Sequence, residues 1–315
     1  MVTPVNAPPA AWFIAGATAT GKSAVAQQLA EQNGRAILSA DAMLVYRGMD
    51  IGTAKPPPAE RGGVPYFGID LVSPAEPFST GLWLADARRA LLSAAPDLIV
   101  AGGTGLYLKA LTDGLDGSAC DPDARARWQA LYAAEGLDAL RRALDARAPG
   151  ALDALADPAN PRRLIRALEH LDAHGTLPVR RRHSDGDTPP IPALRLPREQ
   201  LHARIARRVD AMFAAGLIDE VRALQDTVPA WSETARHAIG YAEVRALLAG
   251  EITRAQAADR IAARTRQLAK RQETWLRHQT RVVWIDITDD DPPDAVARRV
   301  AETWRLYGPS PVVRP

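Results

Sequence analysis

AWFIAGATATGKS, Ala11–Ser23, is the stretch on which the fold reading turns. Its apolar start, closing on glycine, reads as a buried β-strand. Lys22–Gln32, with Val25 and Leu29 among small alanines, reads as the helix that follows. Between them Gly16, Ala17, Thr18, Ala19, Thr20, Gly21, Lys22 and Ser23 spell GATATGKS, a match to G-x-x-x-x-G-K-[ST] in the strand–turn–helix setting that the pattern requires. Glycines let backbone N–H groups turn inward around phosphate oxygens, and the helix N-terminus adds a favourable dipole. Lys22 supplies a point charge for the phosphates, and Ser23 a hydroxyl for Mg²⁺. A bare turn needs no Lys-Ser after its second glycine. The motif therefore predicts a nucleotide-type phosphate site, ATP being the usual occupant, without saying which phosphate compound binds.

Working outward, RAILSA (Arg35–Ala40) and DLIVAG (Asp97–Gly102) are further strands, with helices around Leu82–Ala94 and Thr104–Thr112. Strands alternating with helices predict an α/β fold, a P-loop parallel sheet with flanking helices. From residue 115 to 190 the pattern changes to helices only: Asp121–Ala134, Leu137–Ala148 and Pro161–His174, then the loop RRRHSDGDTPP. This is read as a helical insertion domain, leaving residues 1–114 and 191–315 as the catalytic core. IPALRL (Ile191–Leu196) returns to the sheet. Helices follow at Arg198–Ala215, Asp219–Asp226, Tyr241–Ala249 and Thr253–His278, then a strand at Val282–Ile287 and a helix at Pro292–Leu306. The terminal GPSPVVRP is expected to fray.

With 47% hydrophobic and 24% charged residues over 315 positions, the chain can bury a full core, and no apolar run is long enough to span a bilayer. The N-terminus lacks a basic n-region and runs straight into the first strand, which argues against a signal peptide. Cys120 is the sole cysteine, so no disulfide within one chain and no all-cysteine zinc site is possible. A cytoplasmic protein with no membrane association is expected. The net charge of +2 decides nothing, but arginines cluster at Arg162–Arg166, Arg180–Arg182 and from Arg254 to Arg281. Genome composition accounts for the bulk of this excess, and the clusters suit phosphate.

Other patterns have plainer readings. DDPPD (Asp290–Asp294) imitates a diphosphate-binding D-D-x-x-D, but tandem prolines forbid an interior helix, and Asp291 capping a helix with Pro292 at its first position is the better reading. His170 and His174 have metal-ligand spacing without a third ligand nearby, so solvent-facing histidines are expected. The stripe Ala258, Ile261, Thr265, Leu268, Gln272 and Trp275 is most simply core packing, with Arg260, Arg264 and Arg271 on a face that either tracks RNA or keeps the helix soluble. An apolar strand ending in a Mg²⁺-binding Asp, expected of a kinase, is poorly supplied, Asp41 being the one possibility.

SADAMLVYRGMDIGTAKP (Ser39–Pro56), taken with GATATGKS, resembles the tRNA dimethylallyltransferase (tRNA isopentenyltransferase) family, bacterial type. GGTGLYLKAL (Gly102–Leu111), NPRRLIRALE (Asn160–Glu169), AIGYAEV (Ala238–Val244) and TRQLAKRQETWLR (Thr265–Arg277) match in the family's order. The resemblance implies that the phosphate loop holds dimethylallyl diphosphate with Mg²⁺, and that the N6 amine of an adenine beside the anticodon (position 37) attacks its allylic carbon. Asp41 matches the catalytic carboxylate, and Thr104 a threonine near the adenine and the leaving group. Arg204 and Arg208, in an R-I-x-x-R segment, match diphosphate ligands, one of the two being expected in contact. The tRNA contacts map onto Asp41, Ala42, Met43 and Leu44, onto Arg125, onto Arg162, Arg163, Leu164, Ile165 and Arg166, and onto His237, Gly240 and Tyr241. Expected partners are the anticodon stem-loop of tRNA and dimethylallyl diphosphate, acting on a monomer. Many relatives carry Ser where this chain has Ala42, Gln or Arg where it has His237, and a basic residue at Ala242. An adenylate isopentenyltransferase acting on free AMP, a P-loop small-molecule kinase and a non-catalytic RNA-binding module are the competing readings.

Overall fold

The computed structural model describes residues 9–95, 97–114, 121–155, 157–177 and 189–313. They divide into two compact units: a sheet-bearing unit, up to Gly114 and again from Pro189, and a helical unit, 121–177. The expectations for Cys120 and for Arg180–His183 fall outside the described residues.

The sheet-bearing unit opens with β1 (Ala10–Gly16), α1 (Lys22–Asn33), β2 (Ala36–Ala40), α2 (Pro58–Arg61), β3 (Tyr66–Phe67), α3 (Thr80–Ala94), β4 (Leu98–Gly102) and α4 (Gly105–Thr112). The helical unit carries α5 (Pro122–Glu135), α6 (Leu137–Arg147), α7 (Ala151–Ala154) and α8 (Pro161–His174). The chain then continues with β5 (Ile191–Arg195), α9 (Arg198–Ala214), α10 (Leu217–Thr227), α11 (Glu233–Arg236), α12 (Tyr241–Leu248), α13 (Arg254–Gln279), β6 (Val282–Asp286), α14 (Pro293–Tyr307) and β7 (Ser310–Pro311).

The strand order is β3-β2-β4-β1-β5-β6, all parallel, and β7 adds antiparallel to the start of β1. Every residue of β2 and β4 is buried, so these strands read as continuous apolar runs with no alternation. β4 ends at Gly102, paired with Ala40 on β2, because a Cβ there would lie 2.2 Å from the Ala40 carbonyl oxygen. α1 and α14 pack together, while α3, α4, α13 and α9 succeed one another in a second layer. Trp83 of α3 is fully buried, stacks on Tyr107 of α4 at 4.4 Å and donates to the Ser39 carbonyl. Among the described residues no helix is long and apolar enough to cross a membrane.

Two local expectations are corrected. The tail does not fray before Val313. Ser310–Pro311 pairs with Ala10–Ala11, and Val312 is buried, because β1 begins before its other neighbours do and leaves backbone groups to satisfy. Asp291 does not cap α14. The cap is Pro292, the helix begins at Pro293, and the Asp291 carboxylate accepts instead from the Thr288 N–H and hydroxyl (2.7 and 3.1 Å).

In the helical unit, Leu140, Leu144, Ala151, Leu164, Leu168 and Leu171 form a separate core. Asn160 caps α8 by accepting from the Arg162 N–H (3.0 Å), Pro161 takes the first position, and Gly175 ends the helix in left-handed backbone.

Candidate active site

In a parallel sheet, ligands gather beyond the carboxyl ends of the strands, where the connections diverge. β1, β4 and β2 lie side by side, so the loop after β1 (Gly16–Ser23), Gly103–Thr104 after β4 and Asp41 after β2 open on one edge. In the phosphate loop Ala19 (φ +66°) and Gly21 (φ +85°) take left-handed backbone, the conformation that turns successive N–H groups to one side as an anion cradle. Thr20 is buried and donates to the Ala17 carbonyl (2.8 Å). Lys22 Nζ folds over the same carbonyl at 3.2 Å. Ser23, at the second position of α1, is exposed.

The Asp41 side is tied to β4. The Thr104 N–H donates to the Ala40 carbonyl (3.0 Å), and the Thr104 hydroxyl accepts from the Ala42 N–H (3.1 Å). Asp41 Oδ1 accepts from the Met43 N–H (2.9 Å). The glycines of GGTG are dictated by close approach. A Cβ on Gly103 would meet the Gly16 carbonyl at 2.7 Å and Gln272 at 2.6 Å, and one on Gly105 would meet the Trp275 ring at 2.1 Å.

Arg208 of α9 completes the cluster. It donates to the Thr18 hydroxyl (3.1 Å) and the Thr53 carbonyl (3.3 Å), and its buried Nε meets no protein acceptor. Arg204 is engaged elsewhere, with Asp289 and the Thr288 carbonyl (3.1 Å), and reaches the Thr20 carbonyl only at 3.5 Å. Both arginines thus reach the loop, Arg208 at a side chain and Arg204 at the Thr20 carbonyl. Lys22, Arg208 and Asp41 feel one another's charge. Burial brings Lys22 down to about 8, with Asp41 favouring its charged form and Arg208 opposing it. Burial likewise works against the Arg208 charge, and Asp41 supports it.

Comparison with known proteins covers most of the chain. The IPP transferase family pattern matches residues 44–279, and an Isopentenyl transferase pattern matches residues 9–65. A tRNA dimethylallyltransferase of Kineococcus radiotolerans is 40% identical over 306 residues, which cover 92% of this chain and 94% of the relative. The chain belongs to the tRNA dimethylallyltransferase family. A similar protein of Anaeromyxobacter dehalogenans is 43% identical, covering 91% of this chain and 98% of its own. Among solved structures, the full-length tRNA isopentenylpyrophosphate transferase of Bacillus halodurans superposes with a TM-score of 0.64 at 35% identity, over 95% of this chain and 99% of that one.

Within this family's pattern, the segments expected at tRNA divide by burial. In RRLIR, Arg162, Arg163 and Arg166 are exposed, but Leu164 and Ile165 lie in the core of the helical unit. Both side chains pack in that core, because residues four and seven apart on α8 must face the same side. Arg125 forms a bidentate pair (2.5 and 3.1 Å) with buried Glu169, which Arg166 also approaches at 3.3 Å. Leu44 belongs to the buried core and Met43 packs partly against it, while the Ala42 backbone makes the bond to Thr104 whatever side chain it carries. Tyr241 is fully buried with its hydroxyl on Glu220 (2.6 Å), so its side chain supports the segment from within. His237 is exposed. Gly240, in left-handed backbone (φ +94°), donates its N–H to Glu243 (2.8 Å). Arg264 binds Glu243 and the His237 carbonyl (2.8 Å), which fastens this segment to α13.

Three residues that brace these loops escape a reading by segments. Gln272 accepts from the Thr18 N–H at 2.8 Å, bracing the phosphate loop from α13, and Trp275 packs on Gly105, so this stripe is not core packing alone. A Gln among mostly apolar positions of one helical stripe was the available signal. Lys55 is buried and holds the Tyr46 carbonyl, Asp50 and Asp70 at 2.6–2.7 Å, which staples the Tyr46–Lys55 loop. His170 and His174 have rings 4.5 Å apart, and among the described residues no group of three potential ligands could hold a metal.

Proposed function

We propose that this chain transfers the dimethylallyl group of dimethylallyl diphosphate to the N6 amine of the adenine at position 37 of tRNA, releasing pyrophosphate. The observation that carries the reading is the convergence of Lys22, Arg208 and Asp41 at the carboxyl ends of β1 and β2. Two cations beside one carboxylate form a site for an anionic leaving group next to a base. The N6 lone pair forms a bond to the allylic C1 as the C1–O bond breaks, and pyrophosphate leaves with the electron pair. The amine proton goes to Asp41. With Oδ1 held by the Met43 N–H, Oδ2 is the oxygen that meets the amine. Thr104, its hydroxyl accepting from Ala42, retains a proton to donate to the departing oxygen. Lys22, Arg208 and backbone N–H groups of the phosphate loop other than those of Thr18 and Thr20, which bond within the protein, stabilise the charge that builds on the pyrophosphate, which is where preorganised donors lower a barrier most.

Mg²⁺ suits the donors available. The exposed Ser23 hydroxyl is a hard oxygen ligand, and Mg²⁺ characteristically takes one or two such protein groups plus substrate phosphates and water. When bound, it supplies additional positive charge to the diphosphate.

The IPP transferase match and full-length relatives named for tRNA favour tRNA over free AMP as acceptor. Competition tests this reading. With tRNA and excess AMP together, label from dimethylallyl diphosphate is expected in tRNA, and label in AMP would transfer the reading to an adenylate isopentenyltransferase. In the helical unit, exposed Arg163 is the most direct candidate for a tRNA phosphate. Arg163→Ala is expected to weaken tRNA binding and flatten its log–log salt dependence by about 0.7–0.9, one released counterion's worth. An unchanged slope removes this contact.

A further inference from the structure

The turn Asp50–Thr53 is held by one carboxylate. Glu220 Oε2 accepts from the N–H groups of Asp50 (3.1 Å) and Ile51 (2.8 Å), and Oε1 accepts from the Gly52 N–H (3.3 Å) and the Tyr241 hydroxyl (2.6 Å). Four donors on one half-buried carboxylate is more than the turn needs to close, since it already has its own bonds, Ala54 N–H to the Ile51 carbonyl (3.0 Å) and Lys55 N–H to the Asp50 carbonyl (2.9 Å). Charge-assisted bonds of this kind are shorter and stronger than neutral ones and fix geometry. Gly52 lies flat on the Tyr241 ring, where a Cβ would come within 2.4 Å of the ring. The residue so fixed, Thr53, offers its carbonyl to Arg208 at 3.3 Å, while the other arm of Arg208 reaches Thr18 in the phosphate loop.

We infer that Glu220 is a positioning residue for the diphosphate: through the Asp50–Thr53 turn it sets the Thr53 carbonyl that orients Arg208 toward the phosphate loop. This rests on the reading of Arg208 as a diphosphate ligand. Glu220 lies 12 residues beyond Arg208 on the next helix and bonds neither the phosphate loop nor Asp41, and its hydrogen bonds run to the turn whose Thr53 carbonyl meets Arg208. The carboxylate does for three consecutive N–H groups what a capping side chain does for a helix start, and losing one oxygen's charge leaves them competing for a neutral amide.

The test is a double-mutant cycle on Mg-pyrophosphate binding to the full chain without tRNA, read by calorimetry, using Glu220→Gln, Arg208→Gln and the double variant. Glu220→Gln is expected to weaken pyrophosphate about tenfold, the scale of a lost charged hydrogen bond. In the Arg208→Gln background it is expected to add less than about twofold, because the two act as one unit. Gly52→Ala, which pushes the turn off the Tyr241 ring, is expected to copy Glu220→Gln and keeps the test open if the latter fails to fold. Full additivity of Glu220→Gln with Arg208→Gln, or unchanged affinity in both Glu220→Gln and Gly52→Ala, overturns the inference while leaving the diphosphate site standing. Unchanged affinity in Arg208→Gln alone overturns the underlying reading of the site, and this inference with it.

Discussion

Asp41→Ala is expected to lower kcat by ~10²–10⁴, the usual contribution of a positioned general base, while tRNA and pyrophosphate still bind. The side chain sits at the end of β2 with one oxygen occupied by the Met43 N–H, so alanine removes the proton acceptor and leaves the Thr104–Ala42 bond intact. Removal of the carboxylate also takes away the charge that favours the ammonium form of Lys22. The two effects separate by pH. Loss of the base lowers the rate at every pH, whereas loss of support for Lys22 brings the high-pH fall to lower pH. Steady-state rates across pH 6–10, roughly the span bracketing an unsupported lysine, distinguish them. An Asp41→Ala enzyme with wild-type kcat removes Asp41 from the chemistry.

Lys22→Ala is expected to cost about 10²–10³ in kcat/KM for the diphosphate, the scale of one preorganised donor at a developing charge. Lys22 also carries a pH signature of its own. Buried beside Arg208, its ammonium loses its proton near 8, where an ordinary lysine holds it to 10.5. Charge is needed to receive the diphosphate, so kcat/KM, which reports the free enzyme, is full below about 8 and declines as pH rises through that value. Bound diphosphate favours the ammonium, so the limb in kcat lies higher. Lys22→Arg keeps its charge throughout and is expected to lose the limb near 8. A wild-type profile flat to pH 10 would contradict the assignment of that limb to Lys22.

Most of the sheet-bearing unit was legible because its signals are local. The apolar run Ala11–Ala17, the phosphate loop and α1 are contiguous in the sequence. Asp41 and Thr104 became legible through family motifs, and parallel pairing of β2 with β4 then explains why they meet. What escaped was set by distance in sequence. Thr18 and Gln272 are joined across 254 residues, and Glu220 reaches Asp50 across 170. β7 escaped because two residues with a proline carry no strand signal, and only the open start of β1 recruits them. The motifs also promised surface where there is core. A run such as RRLIR does not say which residues point outward until α8 is placed against Leu140 and Leu144. Asp291 misled for a related reason: its carboxylate found the nearer Thr288 N–H before the helix start.

The most direct measurement is of where the transferred group ends. Wild-type enzyme, dimethylallyl diphosphate, Mg²⁺ and unmodified tRNA are incubated, the tRNA is digested, and the fragment holding the adenine beside the anticodon is weighed by mass spectrometry. The prediction is a gain of one dimethylallyl group on that adenine, with one pyrophosphate released per group transferred. Unmodified tRNA, with ATP consumed or AMP prenylated in parallel reactions under the same conditions, would contradict the account.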